Sequence, residues 1–199
     1  MDKVIDSFSE RIINYFVSRD LIKDNKKRLY QYSMTNIIQS SICIIGTLLI
    51  GLCMGMFFEN LIFFLVFKIL RKYSGGLHAG KYIYCLLFSL SANVVFMLII
   101  KYLQSFDSVV IVLAFELLSL LSAALFAPLE NKNKRINGKE AMIYKIMAIA
   151  ISFSLIVVSY ILVYYGNPFS VPIGMAMLFN GILLVVGKLS MYAKSKKFQ

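Results

Sequence analysis

Residues 68–85, KILRKYSGGLHAGKYIYC, hold the only histidine of the chain, His78, and a cysteine seven positions later, Cys85. A thiol, an imidazole and flexible backbone together suit covalent catalysis on an acyl group, with Cys85 as nucleophile and His78 as base and acid. Cysteine attacks only as thiolate, a form that neighbouring cations favour, and Arg71, Lys72 and Lys81 flank the pair in sequence. Seven residues is two helical turns, which puts the two side chains on one face but about 10.5 Å apart along the axis. A hydrogen-bonded pair needs about 3 Å. A straight helix therefore fails, and the sequence predicts a break between 74 and 81, where Gly75, Gly76 and Gly80 free the backbone. Free amides at Gly75-Gly76 are also able to cradle an oxyanion. The plainer reading of the same residues is a buried thiol, a loop histidine and an interfacial Gly-Gly turn.

The elements around this stretch read as a lipid-embedded frame. The chain has 199 residues, 59% of them hydrophobic, and a mean hydropathy of +0.76. Uncharged apolar runs recur, the mark of a polytopic all-α membrane protein. A barrel would show short alternating segments instead. One membrane domain over 1–199 is expected: an amphipathic interfacial helix and basic flank at 1–35, a six-span bundle at 36–190, and a basic cytosolic tail at 191–199. Val4, Ile5, Phe8, Ile12, Tyr15 and Phe16 form the apolar face of the first helix, and nothing in it reads as a cleaved leader.

The six spans fall at about 36–58, 57–73, 82–103, 108–129, 143–165 and 169–190. Glu59 and Asn60 end the first, and Gly166-Asn167-Pro168 divides the last two by turn chemistry. Gly51 and Gly55 form a small-xxx-small pair, read either as packing within one subunit or as a dimer seam. The formal charge is +11. The cations collect at 19–28, 68–81, 130–139 and 188–197, so the positive-inside rule puts both termini in the cytoplasm. The charge is thereby accounted for without nucleic acid. Three cysteines without short spacing exclude a zinc finger or disulfide framework, and a single histidine offers no usual zinc set. No cofactor motif is present.

Two further features bear on chemistry. Glu116 is ionisable inside an apolar span, which makes it a functional candidate by default; the alternative is a protonated, hydrogen-bonded structural group. Lys132, Lys134, Arg135 and Lys139 in the loop ENKNKRINGKE act as topology signals, as a dock for an acidic substrate segment, or as both.

RKYSGGLHAGKYIYC resembles the signature of the AgrB family, the accessory gene regulator B endopeptidases: a basic pair, a small-residue core around His-Ala, and a Cys seven after the His. FAPLENKNKRI at 126–136 resembles that family's Ala-Pro followed by a Lys/Asn-rich segment. The resemblance covers essentially the whole chain. It implies a membrane thiol protease of quorum sensing that acts on a small AgrD-like propeptide with an acidic C-terminal tail. Cys85 would be nucleophile and His78 acid–base, with Arg71 and Gly76 matching positions tied to activity. Cleavage through a Cys85 thioester and cyclisation to a thiolactone or lactone autoinducing peptide follow, as does a homodimer in the bilayer. Ser74-Gly75 departs from some members and bears on substrate choice. The competing class is a nonenzymatic transporter or peptide exporter, with Glu116 on its pathway. Transporters often carry internal repeats, and none is visible. A membrane scaffold is a third reading.

Overall fold

The computed structural model describes residues 2–19, 21, 26–75, 82–106, 109–129 and 138–196. Among them are seven helices and no strand: α1 (Asp2–Ser18), α2 (Lys27–Cys53), α3 (Phe57–Ser74), α4 (Tyr82–Leu103), α5 (Val109–Phe126), α6 (Gly138–Tyr164) and α7 (Ser170–Lys196). Five of these, α2, α4, α5, α6 and α7, are long and apolar enough to cross a membrane. The expected second crossing, α3, is outside this set. Its 18 residues include Glu59, Lys68, Arg71 and Lys72, and charge dilutes its apolar character. Large side chains on the outer faces, Leu117, Leu118, Leu121 and Leu125 of α5 among them, are more than half exposed, as a lipid-facing surface requires.

The residues group into two compact units, 1–50 with 79–94, and 51–78 with 95–199. In the first, α1 buries Ile5, Ser9 and Ile13, a one-sided line at spacing four. The Ser9 and Thr35 hydroxyls share a hydrogen bond of 2.8 Å, tying α1 to α2. Phe8 and Tyr15, expected on the apolar face of α1, are more than half exposed. Also in this unit, Gly46 of α2 meets Leu90 of α4, where a Cβ would stand 3.0 Å from the leucine methyl.

In the second unit α7 packs against α3, α5 and α6. Val171 to Met177 form an unbroken buried run. Small residues allow the approach: a Cβ at Gly174 would stand 2.7 Å from Val112, and one at Gly181 would stand 2.9 Å from the Ser122 hydroxyl. Ser119 of α5 donates to the Met177 carbonyl at 2.6 Å, a bond made across the seam instead of within its own helix. Phe179 of α7 stacks with Phe67 of α3 at 4.8 Å and meets Phe96 of α4 at 4.7 Å between centroids.

Two boundaries correct the sequence reading. α2 stops at Cys53, and the chain turns through Gly55, whose φ of +66° suits glycine. Glu59 lies in the first turn of α3 instead of closing α2, where a carboxylate meets the positive end of the helix dipole. Gly51 and Gly55 consequently do not share a helix face. Gly51 makes room for Asn60 of the same chain, whose side chain a Cβ would strike at 2.6 Å. The turn between α6 and α7 is where the sequence puts it: Gly166 has φ +65°, and the Asn167 side-chain oxygen accepts from the Phe169 amide at 3.0 Å.

Candidate functional site

α3 ends at Ser74, where the sequence expects the break to begin. Gly75 follows with φ 76° and ψ −168°, a combination essentially restricted to glycine. Its amide still donates to the Arg71 carbonyl at 3.2 Å, closing the last turn. Arg71 itself is half-buried in that turn.

This end of α3 is locked to the end of α5. The Leu129 amide donates to the Ser74 carbonyl at 2.9 Å, and a single parallel bridge pairs Gly75 with Leu129. A Cβ at Gly75 would collide with the Leu129 carbonyl. Leu129 sits in a small cluster with Ala123 and Leu184, after a cis Ala127–Pro128 bond. The described parts of two stretches singled out in the sequence, 71–75 and 126–129, therefore meet at this junction.

A second lock comes from α7. The Ser74 hydroxyl donates to Asn180 Oδ1 at 2.9 Å, and both residues are buried, at 0% and 1% exposure. Ser74, expected as a supporting residue, thus binds a partner that sequence reasoning missed. The available signal was an Asn within the uncharged run from 146 to 187. Polar side chains inside such runs seek internal partners.

Cys85 lies in the first turn of α4, half-buried and with a free thiol. It belongs to the first unit, whereas Arg71, Ser74, Gly75 and Glu116 belong to the second. His78, Gly76, Lys132, Lys134 and Arg135 lie outside the described residues, and so does most of the predicted break. Lys139 is exposed in the first turn of α6.

Glu116 is fully buried in the middle of α5. Ten residues separate it from Phe126, about 15 Å of helical rise. Ser159 of α6 faces the carboxyl, and Gly174 of α7 leaves space beside Oε1. Among the described residues, neither carboxyl oxygen closes a hydrogen bond of regular geometry. The group is structurally separate from the Ser74–Gly75–Leu129 junction at the end of its own helix.

No solved structure matches the chain. AgrB-like protein 2 of Clostridium perfringens (strain 13, type A) is 31% identical over 186 residues, 85% of this chain and 85% of that protein. A second AgrB-like protein, from strain SM101 of that species, is 30% identical over 141 residues, 65% of this chain and 64% of that protein. The family model described as accessory gene regulator B matches residues 9–184, a span that takes in α2 to α6, both signature stretches and Asn180. With five membrane-length helices and this match across most of its length, the chain is a multi-pass membrane protein that belongs to the AgrB family, whose role is in autoinducing-peptide processing.

Proposed function

We propose that the protein is a membrane cysteine endopeptidase that removes the C-terminal segment of an AgrD-like propeptide and cyclises the remainder. The observation that carries this reading is the family match over 9–184, within which Cys85 stands as a free thiol at the head of an apolar helix. Both relatives are themselves named by likeness to AgrB.

The Cys85 thiolate attacks the scissile carbonyl, and the carbon–nitrogen bond breaks. His78 gives a proton to the departing amine, which leaves with the C-terminal segment. A thioester on Cys85 remains. A propeptide thiol then transfers its proton to His78 and attacks the thioester. The ring closes as a thiolactone, or as a lactone if the attacking group is a serine hydroxyl, and the Cys85 sulfur is released. Exchange of one thioester for another is nearly isoenergetic, so the thiolactone route needs no nucleotide. A site at the apolar edge limits competing water.

Arg71 and Gly76 support this chemistry as the family pattern implies, and Gly75 with Ser74 shapes the approach. Lys132, Lys134, Arg135 and Lys139 hold the acidic tail of the propeptide. In this reading α3 makes the sixth crossing, its Lys68 and Arg71 snorkelling to the inner interface. Both termini are then cytoplasmic, α1 lies at the inner surface, and the protein acts as a homodimer.

The test is Cys85→Ala in membranes with the propeptide supplied. Loss of cleavage with normal insertion supports the enzyme. Unchanged processing overturns it in favour of a transporter.

A further inference from the structure

We propose that Asn180 of α7 is a positioning residue for the acyl-transfer reaction. It acts by holding Ser74, and through it the start of the histidine-bearing segment. The inference rests on the proposed function and adds a residue that neither signature stretch contains.

The argument starts from the contact itself. Ser74 Oγ donates to Asn180 Oδ1 at 2.9 Å. Ser74 is the last residue of α3, and its backbone carbonyl accepts from Leu129 at 2.9 Å. One residue is therefore gripped twice, by its side chain from α7 and by its carbonyl from the segment after α5. A hydroxyl at the end of a helix ordinarily finds water or a carbonyl of its own helix. Here it is wholly enclosed and reaches a helix 106 positions away.

The grip falls at a consequential place. Gly75, the next residue, is fixed at a positive φ against Leu129. His78 is three residues beyond Gly75, and three residues of chain span at most about 11 Å. Whatever fixes Ser74 and Gly75 sets the origin from which His78 reaches. Asn180 is suited to this role on chemical grounds. Its amide oxygen is a fixed acceptor, and Phe179 beside it is held by Phe67 and Phe96. Its neighbour Gly181 lies tight against Ser119 and Ser122. The acceptor is thus mounted between two closely packed neighbours.

A misplacement of about 1 Å in a reacting group can cost a hundredfold in rate. The full-length protein in nanodiscs is assayed with synthetic propeptide. Ser74→Ala and Asn180→Ala are each expected to lower kcat for cleavage by about tenfold or more, with KM changed less than about twofold. The double variant is expected to be no worse than either single, because the two share one interaction. Ser74→Thr keeps a hydroxyl and is expected to recover most of the rate. The second readout is the pH profile of iodoacetamide alkylation, followed at Cys85 by mass spectrometry. Asn180→Ala is expected to move that profile toward the one given by His78→Ala.

Unchanged kcat, additive losses, or a Cys85 profile that stays at wild type while His78→Ala shifts it, each overturns the inference. A loss shared equally by Ser74→Thr and Ser74→Ala also overturns it, since it would mark a packing defect alone. If His78→Ala leaves cleavage intact, the catalytic reading itself fails, which distinguishes the two outcomes.

Discussion

The Ser74 hydroxyl on α3 is bonded to Asn180 on α7 at 2.9 Å, with both side chains shut off from solvent. One residue later the backbone of Gly75 lies against Leu129. Two segments far apart in sequence thereby fix the point at which α3 gives way to the segment carrying His78.

Cys85→Ala is expected to abolish propeptide cleavage, and His78→Ala to reduce it by about a hundredfold or more, the usual scale for a lost acid–base group. Cys43→Ala and Cys53→Ala are expected to cleave normally. The measurement is propeptide conversion in washed membranes, with each variant's amount set equal by immunoblot. Full activity in Cys85→Ala would remove the thioester from the mechanism.

Gly75→Ala is expected to be among the most damaging small substitutions in the chain. An alanine there must adopt a positive φ, at a cost of about 1–3 kcal/mol, and its methyl group runs into the Leu129 carbonyl. Gly55→Ala keeps the unfavourable φ, but among the described residues nothing beyond its chain neighbours lies within 4 Å of the added carbon, so its effect is expected to be smaller. Thermal unfolding in detergent would rank the two. Equal midpoints would mean that the contact with Leu129 adds nothing.

Glu116→Met is expected to raise the unfolding midpoint. The carboxyl is enclosed, and among the described residues neither of its oxygens closes a hydrogen bond of regular geometry. An apolar side chain of similar size avoids a desolvation cost of about 1–3 kcal/mol. A lower midpoint would show that the carboxyl is held by a partner worth more than its burial.

Neutralising Lys132, Lys134 and Arg135 together with Gln is expected to raise KM for the propeptide several-fold while leaving kcat near wild type. The difference should shrink as salt is raised, because a Debye length of about 10 Å at 0.1 M salt contracts to about 3 Å at 1 M. Propeptide titrations at two ionic strengths check this. A KM that ignores the substitutions would leave these cations as topology signals alone.

The legible parts of the fold were those written in local chemistry. α4 runs from Tyr82 to Leu103 as its apolar run predicts. The Gly166-Asn167-Pro168 turn carries its own code, because glycine takes the positive φ and the asparagine side chain accepts from the Phe169 amide two residues on. Charge was a poorer guide. Glu59 looked like the end of a span, yet it opens α3, since the actual stop is the backbone at Gly55.

What the sequence could not convey was pairing. Nothing at Ser74 announces Asn180, and nothing at Gly75 announces Leu129, because helical periodicity tells which face is buried and not against what. The single asparagine in α7 signalled that a partner existed without naming it. His78 stood out in the sequence by residue type and by its spacing from Cys85, but it lies outside the described residues.

The burial of α7 from Val171 to Asn180 has a bearing on how this chain tolerates change. Both α6 and α7 are long and apolar enough to cross a membrane, but α6 is exposed along much of its length whereas α7 is mostly buried against protein. On α6, outward positions such as Val158 and Ile161 accept almost any greasy side chain. On α7, each residue from Val171 to Met177 is confined by neighbours of fixed shape, so even an exchange of one aliphatic for another must be matched across the seam. Among the described helices, the one with the longest buried run is therefore the one with the least freedom to drift.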